Sequence, residues 1–256
     1  MSLPELHVTR QGSGRPLVML HGWAMHGGMF QDLADALAKE AEVWRVDLPG
    51  HGLSRAEPLA QAEELVSALL PEGCVLLGWS LGGQIALRLA HALGPRVGAL
   101  ILLSSTPRFV SAPDWQGGME SEVLEQFGAD LLRHPTATVQ RFLALQVRGL
   151  PDMRPALARL RAELAARPAA RPGALAEGLA RLRETDLRSL VPQVAQPTLV
   201  LHGTADRLTP AAAGRWLATH LPHARLAEIG QAAHAPFFSR PAQTLAALRA
   251  FLAEAA

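Results

Sequence analysis

Residues Gly78-Trp79-Ser80-Leu81-Gly82 follow directly on the apolar run Cys74–Leu77 and open Gly83–Ala90, a stretch with helical texture. A strand that turns at once into a helix, with Gly two residues either side of a Ser, is the nucleophile elbow. In that turn the Ser backbone is strained, and side chains at the flanking positions would collide with it or with neighbouring backbone. The helix that starts there aims its free N–H groups and positive dipole end at the Ser oxygen. The competing reading, an ordinary strand–helix turn in a chain with 22 Gly, lacks a reason for this particular spacing.

The rest of the chain fits the fold such an elbow needs. Short apolar runs at Leu17–Leu20, Val43–Asp47, Cys74–Gly78, Ala99–Leu103, Thr198–His202 and Arg225–Ile229 read as strands. Helical patterns at Phe30–Lys39, Leu59–Leu70, Gly83–Leu93, Ala211–His220 and Ala242–Ala255 separate them, and Gly12-Ser13-Gly14 reads as a hairpin turn between early strands. Such alternation predicts an α/β architecture, a mostly parallel sheet with helices on both faces. It lapses between Phe109 and Leu190, a strand-poor stretch cut by six prolines. The expected organisation is a core of residues 1–108 and 191–256, with a helical cap inserted at 109–190.

Length and composition narrow the class. With 256 residues, 49% hydrophobic, the chain can bury a large core. Its net charge of +1 offers no global field for nucleic acid or a membrane surface. Cys74 is the only cysteine, so no disulfide framework exists, which fits a reducing compartment. No signal peptide is visible at Met1–Glu5, and no uncharged apolar run is long enough to span a membrane. A cytoplasmic monomer is the expectation.

A serine hydroxyl needs a base to take its proton, and the base needs a third group to fix its tautomer. His234 is the best base, in the small-residue loop Gly230–Pro236 after the last strand. Asp206, between the Thr198–His202 strand and the next helix, is the acid. The competing reading makes Asp206 a helix N-terminal carboxylate, with Asp186 as fallback. Two backbone donors for the oxyanion are expected at Leu81, after the nucleophile, and at Trp23, where Gly22 lets the chain come close. His21 reads as a structural loop histidine, and Asp47–Ser54 as a tight Gly/Pro scaffold turn. His21, His26 and His51 match no zinc spacing and no G-x-G-x-x-G follows a strand, so neither metal nor cofactor is expected.

The order Ser80…Asp206…His234, with the elbow and Leu20-His21-Gly22-Trp23, resembles the α/β-hydrolase family over nearly the whole chain. Within it, Ser104–Pro107 followed by Phe109, the Asp114-Trp115 pair, Arg141–Gln146 and Ala232–Phe237 resemble the esterases that cleave the methyl ester of pimeloyl-[acyl-carrier protein] in biotin synthesis. That resemblance implies Ser80 as nucleophile, His234 as base, Asp206 as its orienting acid, and Trp23 and Leu81 as oxyanion donors. It implies that Trp23 and Phe142, Leu143, Ala144, Leu145 and Gln146 line the substrate passage, although Phe142, Leu143 and Leu145 at helical spacing can equally be cap core.

The implied partner, an acyl carrier protein bearing a methyl pimeloyl thioester, is acidic and calls for a basic surface. Arg148, Arg154, Arg159, Arg161, Arg167, Arg171, Arg181 and Arg183 face only Asp152, Glu163 and Glu177 across the same stretch. The resemblance puts docking on Arg141 and Arg154, with Arg159 near a position where Ala158 stands in place of the expected arginine. The alternative is a set of solvated helix faces in an arginine-rich chain. A general carboxylesterase or a carbon–carbon bond hydrolase acting on a free small molecule shares every core motif. Epoxide hydrolases and haloalkane dehalogenases use Asp at the elbow, and the former draw on cap tyrosines; this chain has Ser80 and no Tyr.

Overall fold

The computed structural model describes residues 6–254. Met1–Glu5, where a leader was sought, and Ala255, at the end of the expected last helix, lie outside the described residues.

In chain order the strands are β1 (His7–Gln11), β2 (Pro16–Leu20), β3 (Glu42–Asp47), β4 (Cys74–Trp79), β5 (Val97–Leu103), β6 (Thr198–Gly203) and β7 (Ala224–Ile229). The helices are α1 (Gln31–Leu37), α2 (Ala62–Leu69), α3 (Leu81–Leu93), α4 (Ser121–Arg133), α5 (Pro135–Gln146), α6 (Met153–Ala165), α7 (Pro172–Glu184), α8 (Ala211–His220), α9 (Pro236–Ser239) and α10 (Pro241–Glu254). Among the described residues the strands form one sheet in the order β1-β3-β2-β4-β5-β6-β7. Every pairing is parallel except that of β1 with β3.

That order corrects the expected hairpin. Gly12–Arg15 joins β1 to β2, but the two strands do not pair, because β3 lies between them. The crossover through α1 sets β3 against β2, and β1 then adds to its far side. Gly12 makes the turn possible. Its φ is +83°, and a Cβ there would stand 2.3 Å from the Ala41 carbonyl oxygen. Largely polar residues, four half-buried and Arg10 exposed, suit β1 to the sheet edge.

The central strands read as unbroken apolar runs because helices cover both faces. Every residue of β4 is buried, as are Ala99–Leu103 of β5 and Leu17–Leu20 of β2. Each leucine so buried contributes about 1.5–3 kcal/mol relative to exposure. Parallel strands also place their carboxyl ends along one edge. The segments after β2, β4, β6 and β7 therefore converge there, the usual location of sites in open α/β sheets.

Between β5 and β6 the chain leaves the sheet for α4–α7. These helices pack on one another and on the segments Gly27–Phe30 and Leu59–Gln61 of the sheet-bearing part. Four arginines tie them down: Arg159 pairs with Asp32, Arg167 with Asp47, Arg171 with Glu57 and Arg181 with Glu63. No helix among the described residues is long and apolar enough to cross a membrane.

Candidate active site

Ser80 sits between β4 and α3 with φ +56° and ψ −118°, a left-handed conformation that non-glycine residues rarely adopt. The surroundings hold it there. Its N–H donates to the Leu103 carbonyl at 3.0 Å, and its carbonyl accepts from the Ser105 hydroxyl at 2.9 Å and from the Gly83 N–H at 2.9 Å. The glycines are required by packing. A Cβ on Gly78 would stand 2.3 Å from the Gly82 carbonyl oxygen, and one on Gly82 would stand 2.3 Å from that of Leu20.

Asp206 and His234 come together as a buried pair after β6 and β7. His234 Nδ1 lies 2.8 Å from Asp206 Oδ2, and neither side chain is more than 1% exposed. Asp206 Oδ1 accepts the N–H groups of Leu208 and Thr209 at 2.8 and 3.0 Å. Burial alone would push the Asp206 carboxyl up. The His234 charge and hydrogen bond, with His202 close by, outweigh it and hold the group well below the usual carboxylate range. The His234 loop is docked onto the elbow: Trp79 Nε1 donates to its carbonyl at 3.0 Å. Its own N–H donates to the Gln146 carbonyl at the end of α5, at 3.1 Å. No hydrogen bond joins Ser80 to the ring among the described residues. His234 Nε2 is buried and has no partner, so that nitrogen is the one left to receive a proton.

Gly22 brings the Trp23 segment against the elbow. A Cβ on Gly22 would lie 3.2 Å from Ser80 Cβ and 3.7 Å from its Oγ. The Leu81 N–H opens α3 beside the serine and, as the first residue of that helix, has no intrahelical acceptor. Trp23 itself is buried. Its Nε1 donates to the Leu175 carbonyl at 2.9 Å, and its ring meets Phe142 edge-on with centroids 4.7 Å apart. Phe142, Leu143 and Gln146 are buried, Ala144 and Leu145 half-buried. A cavity of about 340 Å³ lies beside this segment, lined by Ala24, the earlier turns of α5 (Thr136, Val139), Leu164, Arg167 and Leu175.

His21 is the structural histidine expected from the sequence, accepting the Leu48 N–H at Nε2 (2.9 Å) and donating from Nδ1 to the Gly22 carbonyl (2.8 Å). Asp186 lies apart from the site, paired with Arg108 and Arg188, which hold its carboxyl down at about 2. Two neighbours of the acid have a role there that the sequence did not assign them. The Thr209 hydroxyl donates to Asp206 Oδ2 at 2.8 Å, and His202 Nε2 lies 3.5 Å from the same oxygen while donating to the Thr209 carbonyl at 2.7 Å. The buried strand-end position of His202 was the only signal. Among the described residues no group of three or more His, Cys, Asp or Glu is arranged to hold a metal ion.

Of the arginines assigned to docking, Arg141 pairs with Asp130 and lies over the Phe127 ring, and Arg159 pairs with Asp32. Arg154 is exposed and, like Arg148, its side chain has no partner among the described residues. Half of the eight arginines counted from the sequence (Arg159, Arg167, Arg171 and Arg181) are thus engaged in holding the α6–α7 region to the core.

A family model described as the alpha/beta hydrolase fold matches residues 15–241. The chain is 43% identical over 244 residues to a pimeloyl-[acyl-carrier protein] methyl ester esterase of Nitrosomonas europaea, covering 94% of this chain and 97% of that protein. It is 44% identical over 253 residues to the protein of the same name from Xanthomonas axonopodis pv. citri, covering 97% and 99%. Among solved structures, an esterase from Exiguobacterium antarcticum superposes with a TM-score of 0.87 at 24% identity, covering 97% of this chain and 95% of that one.

Proposed function

The chain belongs to the α/β-hydrolase family, and from that premise we propose that it is a serine carboxylesterase acting on the methyl ester of a pimeloyl chain carried by acyl carrier protein. The observation that carries the chemistry is the His234–Asp206 pair at 2.8 Å, with Nε2 buried and unpartnered, on a loop bonded to Trp79, the residue before a serine held at positive φ. Near-full-length identity to esterases bearing that name supports the substrate.

In this reading Ser80 Oγ attacks the ester carbonyl as His234 Nε2 takes its proton. Asp206 fixes the Nδ1–H tautomer and stabilises the imidazolium. The oxyanion that develops is met by the N–H groups of Trp23 and Leu81; one such donor lowers the barrier by about 2.7–4 kcal/mol. His234 returns the proton to the departing methanol, leaving an acyl-Ser80 ester. Water then attacks that ester with His234 again as base, freeing the carboxylate and Ser80. α4–α7 form a cap over the site, and Phe142–Gln146 line the acyl passage from its inner face.

The carrier partner is recognised by the cap. Arg154, exposed and unpaired, with Arg141 and Arg159 at the rim, offers cationic contacts for an acidic surface. A general carboxylesterase acting on free short-chain esters is the second reading, favoured by how many cap arginines are already paired. A side-by-side assay separates them. The carrier-linked methyl ester should be cleaved with far higher kcat/KM than methyl esters of free acids, and its KM alone should rise with ionic strength. Equal efficiency on both, with equal salt dependence, would leave the general esterase.

A further inference from the structure

The segment that carries the Trp23 N–H is gripped from the cap as well as from the sheet. Asp47, at the carboxyl end of β3, is fully buried. Its Oδ1 accepts the Gly27 N–H at 2.7 Å and its Oδ2 the Leu53 N–H at 2.8 Å. Arg167, in the connection between α6 and α7, completes the carboxylate by donating from one guanidinium nitrogen to both oxygens, at 2.7 and 2.8 Å. Two further bonds cross the same boundary: Trp23 Nε1 to the Leu175 carbonyl, and the His26 ring from Nε2 to the Leu164 carbonyl at 3.3 Å. The packing is close enough to exclude a side chain. A Cβ on Gly28 would stand 2.8 Å from the His26 ring and 3.0 Å from Arg167 Nε. Between these anchors Ala24 is held at φ +62°, a conformation that persists only where its surroundings dictate it.

We propose that Arg167, reaching from the cap onto Asp47, positions the oxyanion-binding segment Trp23–Gly27, so that seating of the cap sets transition-state stabilisation rather than ester binding. The inference rests on the serine-esterase reading above and adds positioning residues to it. Asp47 is buried beneath this segment, and Arg167, which also borders the cavity beside α5, acts on the oxyanion only through it. Without the guanidinium, a buried carboxylate has lost its counter-charge and draws in water or shifts. The Gly27 N–H moves with it, and the Trp23 N–H, four residues earlier on the same short segment, leaves the place where the oxyanion forms. A displacement of about 1 Å there can cost on the order of a hundredfold in rate. The acyl chain meets apolar residues of α5 that this change leaves alone, so ground-state affinity holds.

The test compares wild type, Arg167→Gln, Arg167→Lys and Arg171→Gln on a free aryl butyrate, with active sites counted by complete titration with a phosphonate ester. Arg171 also ties cap to core, but its side-chain bonds go to Glu57 and the Ser54 carbonyl rather than to Asp47 or the Trp23–Gly27 segment. R167Q should lose at least tenfold in kcat per titrated site with KM within twofold, and should bind an alkylboronic acid, a tetrahedral mimic, weaker by a similar factor. R167K should recover part of the rate, and R171Q should match wild type. Asp47→Asn, isosteric but unable to accept from Gly27, Leu53 and Arg167 together, carries the same comparison where R167Q does not fold. An unchanged kcat per titrated site, even with fewer sites titrating, would reduce Arg167 to a stabilising contact and overturn the proposal. So would a rise in KM at constant kcat. A wild type that the phosphonate cannot titrate would bring down the serine-esterase reading and this one with it; a normal wild type beside an unimpaired R167Q would remove this one alone.

Discussion

The Thr209 hydroxyl stands 2.8 Å from Asp206 Oδ2 and 3.2 Å from His234 Nδ1, inside the pair on which base catalysis depends. The same hydroxyl is 3.1 Å from the Ser104 carbonyl, and its single proton can serve only one acceptor at a time. When it serves Asp206 it fixes the carboxylate plane and leaves the other lone pairs for the imidazole. Thr209→Val keeps the shape and removes the donor. A hydrogen bond to a charged group is worth about 1.5–3 kcal/mol, so kcat/KM on a free aryl ester should fall roughly tenfold. Asp206→Asn, which favours the wrong tautomer, should cost about ten-thousandfold. Wild-type rates in T209V would mean that the hydroxyl belongs to Ser104 instead.

Ser80→Ala removes the attacking oxygen and nothing else, because the hydroxyl makes no hydrogen bond among the described residues. The strained backbone is held by bonds to Leu103, Gly83 and Ser105 that do not involve the side chain. Ester turnover should vanish while the thermal midpoint stays within a degree or two of wild type. More than trace turnover would remove Ser80 as nucleophile.

The elbow glycines are packing requirements, and their cost can be ranked. Gly78→Ala drives a Cβ to 2.3 Å from the Gly82 carbonyl oxygen and 2.5 Å from Gly83 Cα, both backbone atoms that cannot step aside. Overpacking of this kind costs about 3 kcal/mol, enough to lower the denaturation midpoint markedly. Gly173→Ala in α7 meets nothing within 4 Å and should be neutral or slightly stabilising. Similar denaturation curves for the two variants would contradict the packing account.

What could be read from the sequence follows from how locally each feature is encoded. The elbow, the strands of the buried sheet and the loops bearing Asp206 and His234 declare themselves through short apolar runs and Gly spacing, which local periodicity reports. β1 does not, because His7–Gln11 is polar and half-exposed, and its partner β3 lies some thirty residues on. The cap arginines show the opposite failure. Their charges are visible, but their partners Asp32, Asp47, Glu57 and Glu63 sit a hundred or more residues away, so a paired surface reads as a free one. Thr209 escaped for the same reason: its importance arises only where β6 and β7 end side by side.

His21 and His51 make acid stability a test of the buried segment behind the site. Burial is the main cause that lowers both, His21 to about 3 and His51 to about 4, with each other's charge adding for His21. The geometry agrees. A second proton on His21 Nε2 would abolish its bond from the Leu48 N–H, and His51 Nε2 is buried with no acceptor to receive one. The unfolded histidines titrate near 6.5. Below that pH the unfolded chain binds protons that the folded one refuses, so stability present above about 6.5 is lost as pH falls toward 4. Each group contributes a slope of about 1.4 kcal/mol per pH unit, and His26, lowered by burial as well, adds in the same direction. The carboxyls of Asp47 and Asp206 are held low and so add their own loss only below about pH 4. Urea denaturation at pH 7, 6 and 5 should show a progressive fall in unfolding free energy, and His51→Gln should flatten the slope. Equal stability across that range would mean that these rings accept protons in the folded state, and that the buried segment behind Trp23 is open to water.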